Sequence, residues 1–119
     1  QAAVGKLIAN LALAVTIEGF KEALYLGQSQ GLSPEQVVGM LKSTSLEFIV
    51  NMKAPFLLGE RDTDPGDFSV DAIAKDARLM LATADKDLPA VAAALDSLEA
   101  QQDAGHGDED FSSVVVYRD

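Results

Sequence analysis

The stretch from Ala2 to Gln30, AAVGKLIANLALAVTIEGFKEALYLGQSQ, decides the fold class. Its apolar residues recur at helical spacing, so it reads as one long α-helix. The first half is apolar on nearly every side, through Leu7, Ile8, Leu11, Leu13, Val15 and Ile17. A helix of that kind must be covered by protein on several faces. The second half is amphipathic, with Phe20, Leu24 and Leu26 set against Glu18, Lys21 and Glu22. Gly31 suits the left-handed position that ends a helix. At ~1.5 Å per residue the segment is about 40 Å long. That exceeds the width of so small a domain, so part of the helix is expected to pack on something outside this chain.

Working outward, Ser33-Pro34-Glu35-Gln36 reads as a helix start: Ser33 as N-cap, Pro34 in the first helical position and Gln36 closing a capping box. This second helix should reach about Lys42 and break at Ser43-Thr44-Ser45. A weaker helical pattern follows from Leu46 to Leu58 around Pro55. Gly59 to Asp67 is a charged loop with Pro65-Gly66 as a turn signal. Ser69 can cap a helix from Val70 to about Asp85, and Pro89 opens another through Ala100. Asp103 to Asp110 is a Gly- and Asp-rich loop. The tail Phe111 to Tyr117 fits either a helical turn or a strand, because Val114-Val115-Val116 makes its period ambiguous. The expected fold is all-α: a single domain over residues 1–119, a bundle of about five to six helices with a long first helix.

Composition agrees. With 119 residues, 48% hydrophobic, the chain can bury one core. Only 6% are aromatic and none is Trp, so the core must be mostly aliphatic, which favours close-packed helices over a β-sandwich. The absence of cysteine excludes disulfides, thiolate metal sites and Cys nucleophiles, and fits a reducing, cytoplasmic setting. The longest apolar run, Leu7 to Ile17, is broken by Asn10 and Thr16 and falls short of the roughly 18–20 residues of a membrane span. No signal peptide is visible. The chain starts at Gln1 rather than Met, as expected of a fragment or a processed chain. Acids and bases balance in the first half, so the net charge of −10 resides entirely in the second. An acidic half repels phosphate backbones and argues against nucleic acid.

Few residues could carry chemistry. Lys6 and Asn10 are four apart and share one helix face within apolar surroundings. They either reach a solvent edge or serve a site. Lys75-Asp76 is a charged pair in a helix otherwise rich in Ala, Ile, Leu and Met. His106 stands among Asp108, Glu109 and Asp110, but one His with irregularly spaced acids is a poor metal signature, and a capped loop is the simpler reading. Gly107 would supply a turn there, and Asp108 or Asp110 would cap the last segment. No GxGxxG or Walker loop, GxSxG or HExxH occurs.

Taken in order, these segments resemble the C-terminal domain of the β-hydroxyacid dehydrogenases. Val4-Gly5-Lys6-Leu7-Ile8-Ala9-Asn10 looks like that domain's K-x-x-(N)-N start. Glu22-Ala23-Leu24 followed by Gly31-Leu32-Ser33-Pro34-Glu35 is similar to its EAL…GLDPE stretch. Phe68-Ser69 with Ala74-Lys75-Asp76 resembles F-(S/T)-x₅-K-D, and Gly105 to Ser112 resembles the closing G-x-G-D-x-D-(F/Y)-S. Where members often read Asn-Asn, this chain reads Ala9-Asn10.

The resemblance implies a fold like the 6-phosphogluconate dehydrogenase C-terminal domain and a role in interconverting a 3-hydroxy acid and its semialdehyde with NAD or NADP, as in 3-hydroxyisobutyrate dehydrogenase. It implies Lys6 as the catalytic residue, Asn10 and Lys75 as substrate contacts, and Lys75 and Asp76 beside the cofactor. It implies no metal. The implied partners are an N-terminal Rossmann domain, which would bind most of the cofactor, and a second subunit in a homodimer or larger homo-oligomer. Alone, the chain would then be inactive. The residue types suit the chemistry: the cofactor takes the hydride, and a Lys can handle the hydroxyl proton and face the developing oxyanion. Burial near a second cation is what makes a lysine usable as a base at neutral pH; Lys6 would have that setting if it were buried and Lys75 converged on it. The alternatives are a non-catalytic dimerisation or interaction module reusing the fold, and an imine reductase-like relative. Such relatives generally lack the lysine, and a module has no reason to keep Lys6, Asn10 and Lys75 together.

Overall fold

The computed structural model describes residues 2–118, which form six helices: α1 (Ala2–Ser29), α2 (Pro34–Leu41), α3 (Glu47–Leu57), α4 (Val70–Thr83), α5 (Pro89–Asp103) and α6 (Ser113–Val116). Among the described residues the one β-like pairing is an isolated bridge between Ser69 and Asp110. The tail that fitted a turn or a strand is a helical turn. Each of its last three amides, Val115, Val116 and Tyr117, bonds a carbonyl three or four residues back.

The end signals act as their chemistry requires. Gly31, at φ 81°, lets the Gly31 and Leu32 amides turn back onto the Gln28 and Gly27 carbonyls at 3.0 Å each. Ser33 accepts from the Gln36 amide at 3.2 Å while the Gln36 side chain accepts from the Ser33 amide at 2.8 Å. Ser69 accepts from the Ala72 amide at 3.1 Å and starts α4. Two ends differ from expectation. α5 continues past Ala100 to Asp103, because the left-handed residue that stops it is Gly105, φ 92°, and the polar Gln101-Gln102-Asp103 is no obstacle to a helix. α4 stops at Thr83, since Ala84 is already extended at ψ 145°.

The middle and second half of α1 form the spine. Ala14, Ile17, Phe20 and Leu24, spaced three or four apart, are buried against Ile73, Ala77 and Met80 of α4, Val91, Ala94 and Leu98 of α5, and Val114 and Val115 of α6. α2 and α3 pack on α1 and on each other. The core is aliphatic apart from Phe20, Phe56 and Phe111.

The molecule measures 41 × 28 × 23 Å, so α1 runs its full length. Near the start of α1, Val4 and Ile8 are exposed, as the excess of apolar surface implied. Leu26 departs from expectation. It falls outside the stripe set by Phe20 and Leu24 and lies 70% exposed. Over Ala3–Ser29 the helix also meets the length and composition of a membrane-crossing segment, although its longest unbroken apolar run is short. In this fold the same helix supplies the centre of the core.

Candidate active site

α1 and α4 lie side by side and antiparallel: Asn10 meets Asp76, while Val4 and Ile8 share a groove with Thr83 and Ala84. At that seam the Asn10 side chain is buried, 8% exposed, and its Nδ2 donates to Asp76 Oδ2 at 2.7 Å. A buried amide needs such a partner, because an unpaired one costs roughly 1–3 kcal/mol. Lys6 stands one turn before Asn10 on α1, and Lys75 precedes Asp76 on α4; both are exposed. The fold therefore brings Asn10 and Asp76, 66 positions apart, into contact, with Lys6 one helical turn from the first and Lys75 next in sequence to the second. The burial of Lys6 expected from its apolar neighbours does not occur within this chain. Lys6 lies where α1 has few neighbours to cover it, so any desolvation must come from outside these residues.

The face is open. None of the four residues lines the largest described pocket, about 410 Å³, which lies between Phe56, Arg61, Thr63, Glu109 and Tyr117. Beside the face runs an apolar groove of about 160 Å³, walled by Leu7, Ile8 and Leu11 on one side and Met80, Thr83 and Leu88 on the other.

What holds α4 in place is the closing loop. The Val70 amide donates to the Glu109 carbonyl at 2.9 Å and the Asp71 amide to the Gly107 carbonyl at 2.8 Å. Asp110, fully buried, is the knot of this region. Its Oδ1 accepts from the Asp67 and Phe68 amides at 2.9 and 3.1 Å, and its Oδ2 from the Ser112 amide at 2.8 Å. Lys53 Nζ reaches both oxygens, at 3.1 and 3.0 Å. Lys53 is itself fully buried, with its ammonium 4.3 Å from the Phe111 ring centre and 5.1 Å from that of Phe56. Burial by itself would raise the Asp110 pKa. The Ser112 hydrogen bonds and the Lys53 charge outweigh it and hold the carboxyl below its ordinary value.

Asp108 or Asp110 was expected to cap the last segment; the N-cap of α6 is instead Ser112, without a side-chain cap bond, and Asp110 accepts from the Ser112 amide just ahead of the helix. Its tie to Lys53, 57 residues away, was not legible, because nothing around Lys53 in the sequence marks it as buried. The only available signal was its apolar helical neighbourhood of Ile49, Val50 and Phe56.

His106 serves the same loop. Its Nδ1 is 2.6 Å from Glu109 Oε2, and its ring stacks on Tyr117 with centroids 3.9 Å apart. Among the described residues no group of three His, Asp or Glu side chains gathers to hold a metal. Glu109 also accepts from the Thr63 hydroxyl, and these bonds, Thr63 first, hold its carboxyl below the ordinary value.

Comparison with known proteins follows the same outline. A family model described as NAD-binding of NADP-dependent 3-hydroxyisobutyrate dehydrogenase matches residues 1–117. The chain belongs to this family. A 3-hydroxyisobutyrate dehydrogenase of Pseudomonas aeruginosa is 35% identical over 128 residues, covering 97% of this chain and 43% of the relative. Glyoxylate/succinic semialdehyde reductase 1 of Arabidopsis thaliana is 30% identical over 114 residues, covering 92% and 39%. A solved Mycobacterium tuberculosis 3-hydroxyisobutyrate dehydrogenase with L-serine superposes with a TM-score of 0.77 at 27% identity, over 94% of this chain and 41% of that one. The chain thus spans about two fifths of the length of these oxidoreductases. The family resemblance, the all-helical fold and the link to NAD(P) chemistry read from the sequence all stand.

Proposed function

We propose that the α1–α4 face is the substrate-facing part of an NAD(P)-dependent dehydrogenase site that interconverts a 3-hydroxy acid and its semialdehyde. The observation that carries this reading is the Asn10–Asp76 hydrogen bond at 2.7 Å. It joins two sequence segments that the family resemblance had marked independently.

Lys6 holds the proton of the substrate hydroxyl, and its charge faces the negative oxygen that develops there. Asn10, held by Asp76, hydrogen-bonds the substrate and keeps the reacting carbon in register. Asp76 is therefore a positioning residue for Asn10 as well as a neighbour of the cofactor. Lys75 pairs with the substrate carboxylate. Lys6 and Lys75, both exposed, are positive charges in a chain of net charge −10 and give a local attraction for an anionic substrate.

The bound nicotinamide supplies the hydride acceptor or donor. The residues present fit only its reactive end: an open polar face with Lys75 and Asp76 can meet a nicotinamide edge, and no glycine-rich phosphate loop occurs in the sequence. The rest of the dinucleotide falls to a Rossmann domain of the same protein. That domain, or a second subunit of a homo-oligomer, would cover the exposed apolar start of α1 and desolvate Lys6.

The test is Lys6→Ala in the longer protein. The expected loss in kcat is about 10²–10⁴-fold with assembly intact; unchanged turnover refutes the role. NAD(P)-dependent turnover by this chain alone would refute the reading of a shared site.

A further inference from the structure

Leu79 of α4 is 53% exposed, whereas Val70, Ile73 and Met80 of the same helix are buried. A single exposed leucine is ordinary on a protein surface. This one stands beside the α1–α4 seam, at the level of Lys6.

Helical geometry sets that level. Leu79 is four residues from Lys75 and three from Asp76, so it neighbours both on the surface of α4. Asp76 meets Asn10 across the seam at 2.7 Å. Leu79 lies about 4.5 Å beyond Asp76 along α4, and Lys6 lies about 6 Å before Asn10 along α1. The two helices are antiparallel, so both steps lead the same way and Leu79 comes level with Lys6 on the adjoining helix. The following residue on each helix shows the same register: Leu7 and Met80 wall one groove.

Given the roles proposed for Lys75 and Lys6, the substrate carboxylate lies at the first and the hydroxyl at the second. In a 3-hydroxy acid, C2 joins the carboxyl carbon to the carbon that bears the hydroxyl. Leu79 borders Lys75 on its own helix and is level with Lys6 on the other, so C2 and its substituent come against Leu79. An isobutyl side chain there removes the surface of a methyl group from water. It offers no hydrogen bond to a hydroxyl in the same place.

We propose that Leu79 is a specificity-determining residue, which selects 3-hydroxy acids with an alkyl group at C2 over those with a hydroxyl there. This assignment rests on the substrate-facing role of the α1–α4 face.

The experiment compares two substrates of the longer protein under steady-state conditions: 3-hydroxyisobutyrate, with a methyl at C2, and glycerate, with a hydroxyl. The parent is expected to favour the methyl acid about tenfold or more in kcat/KM. Leu79→Ala should cut that preference about fivefold, and Leu79→Asn, which offers the hydroxyl a partner, should abolish or reverse it. The ratio is the deciding quantity, because a merely structural role would change both substrates alike. With Leu79 half exposed, both variants should melt close to the parent. A ratio that Leu79→Ala leaves unchanged, or a parent that favours glycerate, overturns the Leu79 assignment alone. Turnover of both acids that survives Lys6→Ala overturns the reading of the face and this assignment with it.

Discussion

Removing Lys53 should cost this fold more than removing any exposed charge. In Lys53→Met the Asp110 carboxylate stays fully buried and keeps three backbone donors, but loses both bonds to the ammonium and its only buried counter-charge. In Asp110→Asn the amide oxygen still accepts from the Asp67 and Phe68 amides, and the Lys53 ammonium is left among Phe56 and Phe111 with only the half-exposed Asp67 carboxylate, 4.0 Å away, as counter-charge among the described residues. Breaking a buried pair from either side costs about 3–5 kcal/mol. That is a large share of the roughly 5–15 kcal/mol that stabilises a typical domain. With a urea slope of about 2 kcal/mol per molar, each variant should lower the unfolding midpoint by about 2 M. The double variant Lys53→Met/Asp110→Asn leaves neither charge stranded, so its cost should fall short of the sum by about 2 kcal/mol. Equilibrium urea unfolding followed by circular dichroism measures all four proteins. Single variants within about 1 kcal/mol of the parent, or strictly additive costs, would refute the claim that this pair knots α3, the α3–α4 loop and α6 together. The acid limb follows from the same geometry. Asp110 titrates below its ordinary value, so its contribution is complete above that value and disappears as pH falls through the lowered one. The double variant should lose less stability there than the parent.

Three further outcomes are expected. A Cβ on Gly66 would strike the Asp110 backbone, whereas one on Gly107 meets only the movable Asp71 carboxylate, so in thermal melts Gly66→Ala should destabilise by about 2 kcal/mol or more and Gly107→Ala by about half that. Glu18 is held above its ordinary 4.5, first by burial, so its ionisation opposes folding as pH rises from 4.5 through the raised value; Glu18→Gln should therefore gain on the parent in stability between pH 4.5 and 7, and a constant difference across that range would count against it. Asp76→Ala in the longer protein leaves the buried Asn10 amide without its partner, so it should cost about 1–3 kcal/mol of stability and also lower kcat/KM by about ten- to a hundredfold; a loss of stability with kcat/KM unchanged would make the contact structural.

Much of the fold was legible because its signals are local. Ser33, Gln36, Ser69, Gly31 and Pro89 act within one turn of themselves, so their roles could be read from neighbours a few positions away. The end of α5 was misjudged where polar residues seemed a better stop than the glycine beyond them. Ile8 and Leu26 show the limit of counting apolar residues: periodicity says which face a residue shares, and only packing says whether anything covers that face.

The candidate site divides the same way. The sequence by itself determined that Lys6 and Asn10 share one helix face and that Lys75 and Asp76 adjoin on another helix, because helical geometry needs no partner to set those relations. Tertiary structure alone decided that Asn10 is buried on Asp76, that Lys6 stays exposed in this chain, and that Lys53 finds its counter-charge on Asp110. Those facts depend on how distant segments pack, and packing is set by the summed burial of many side chains rather than by any short motif.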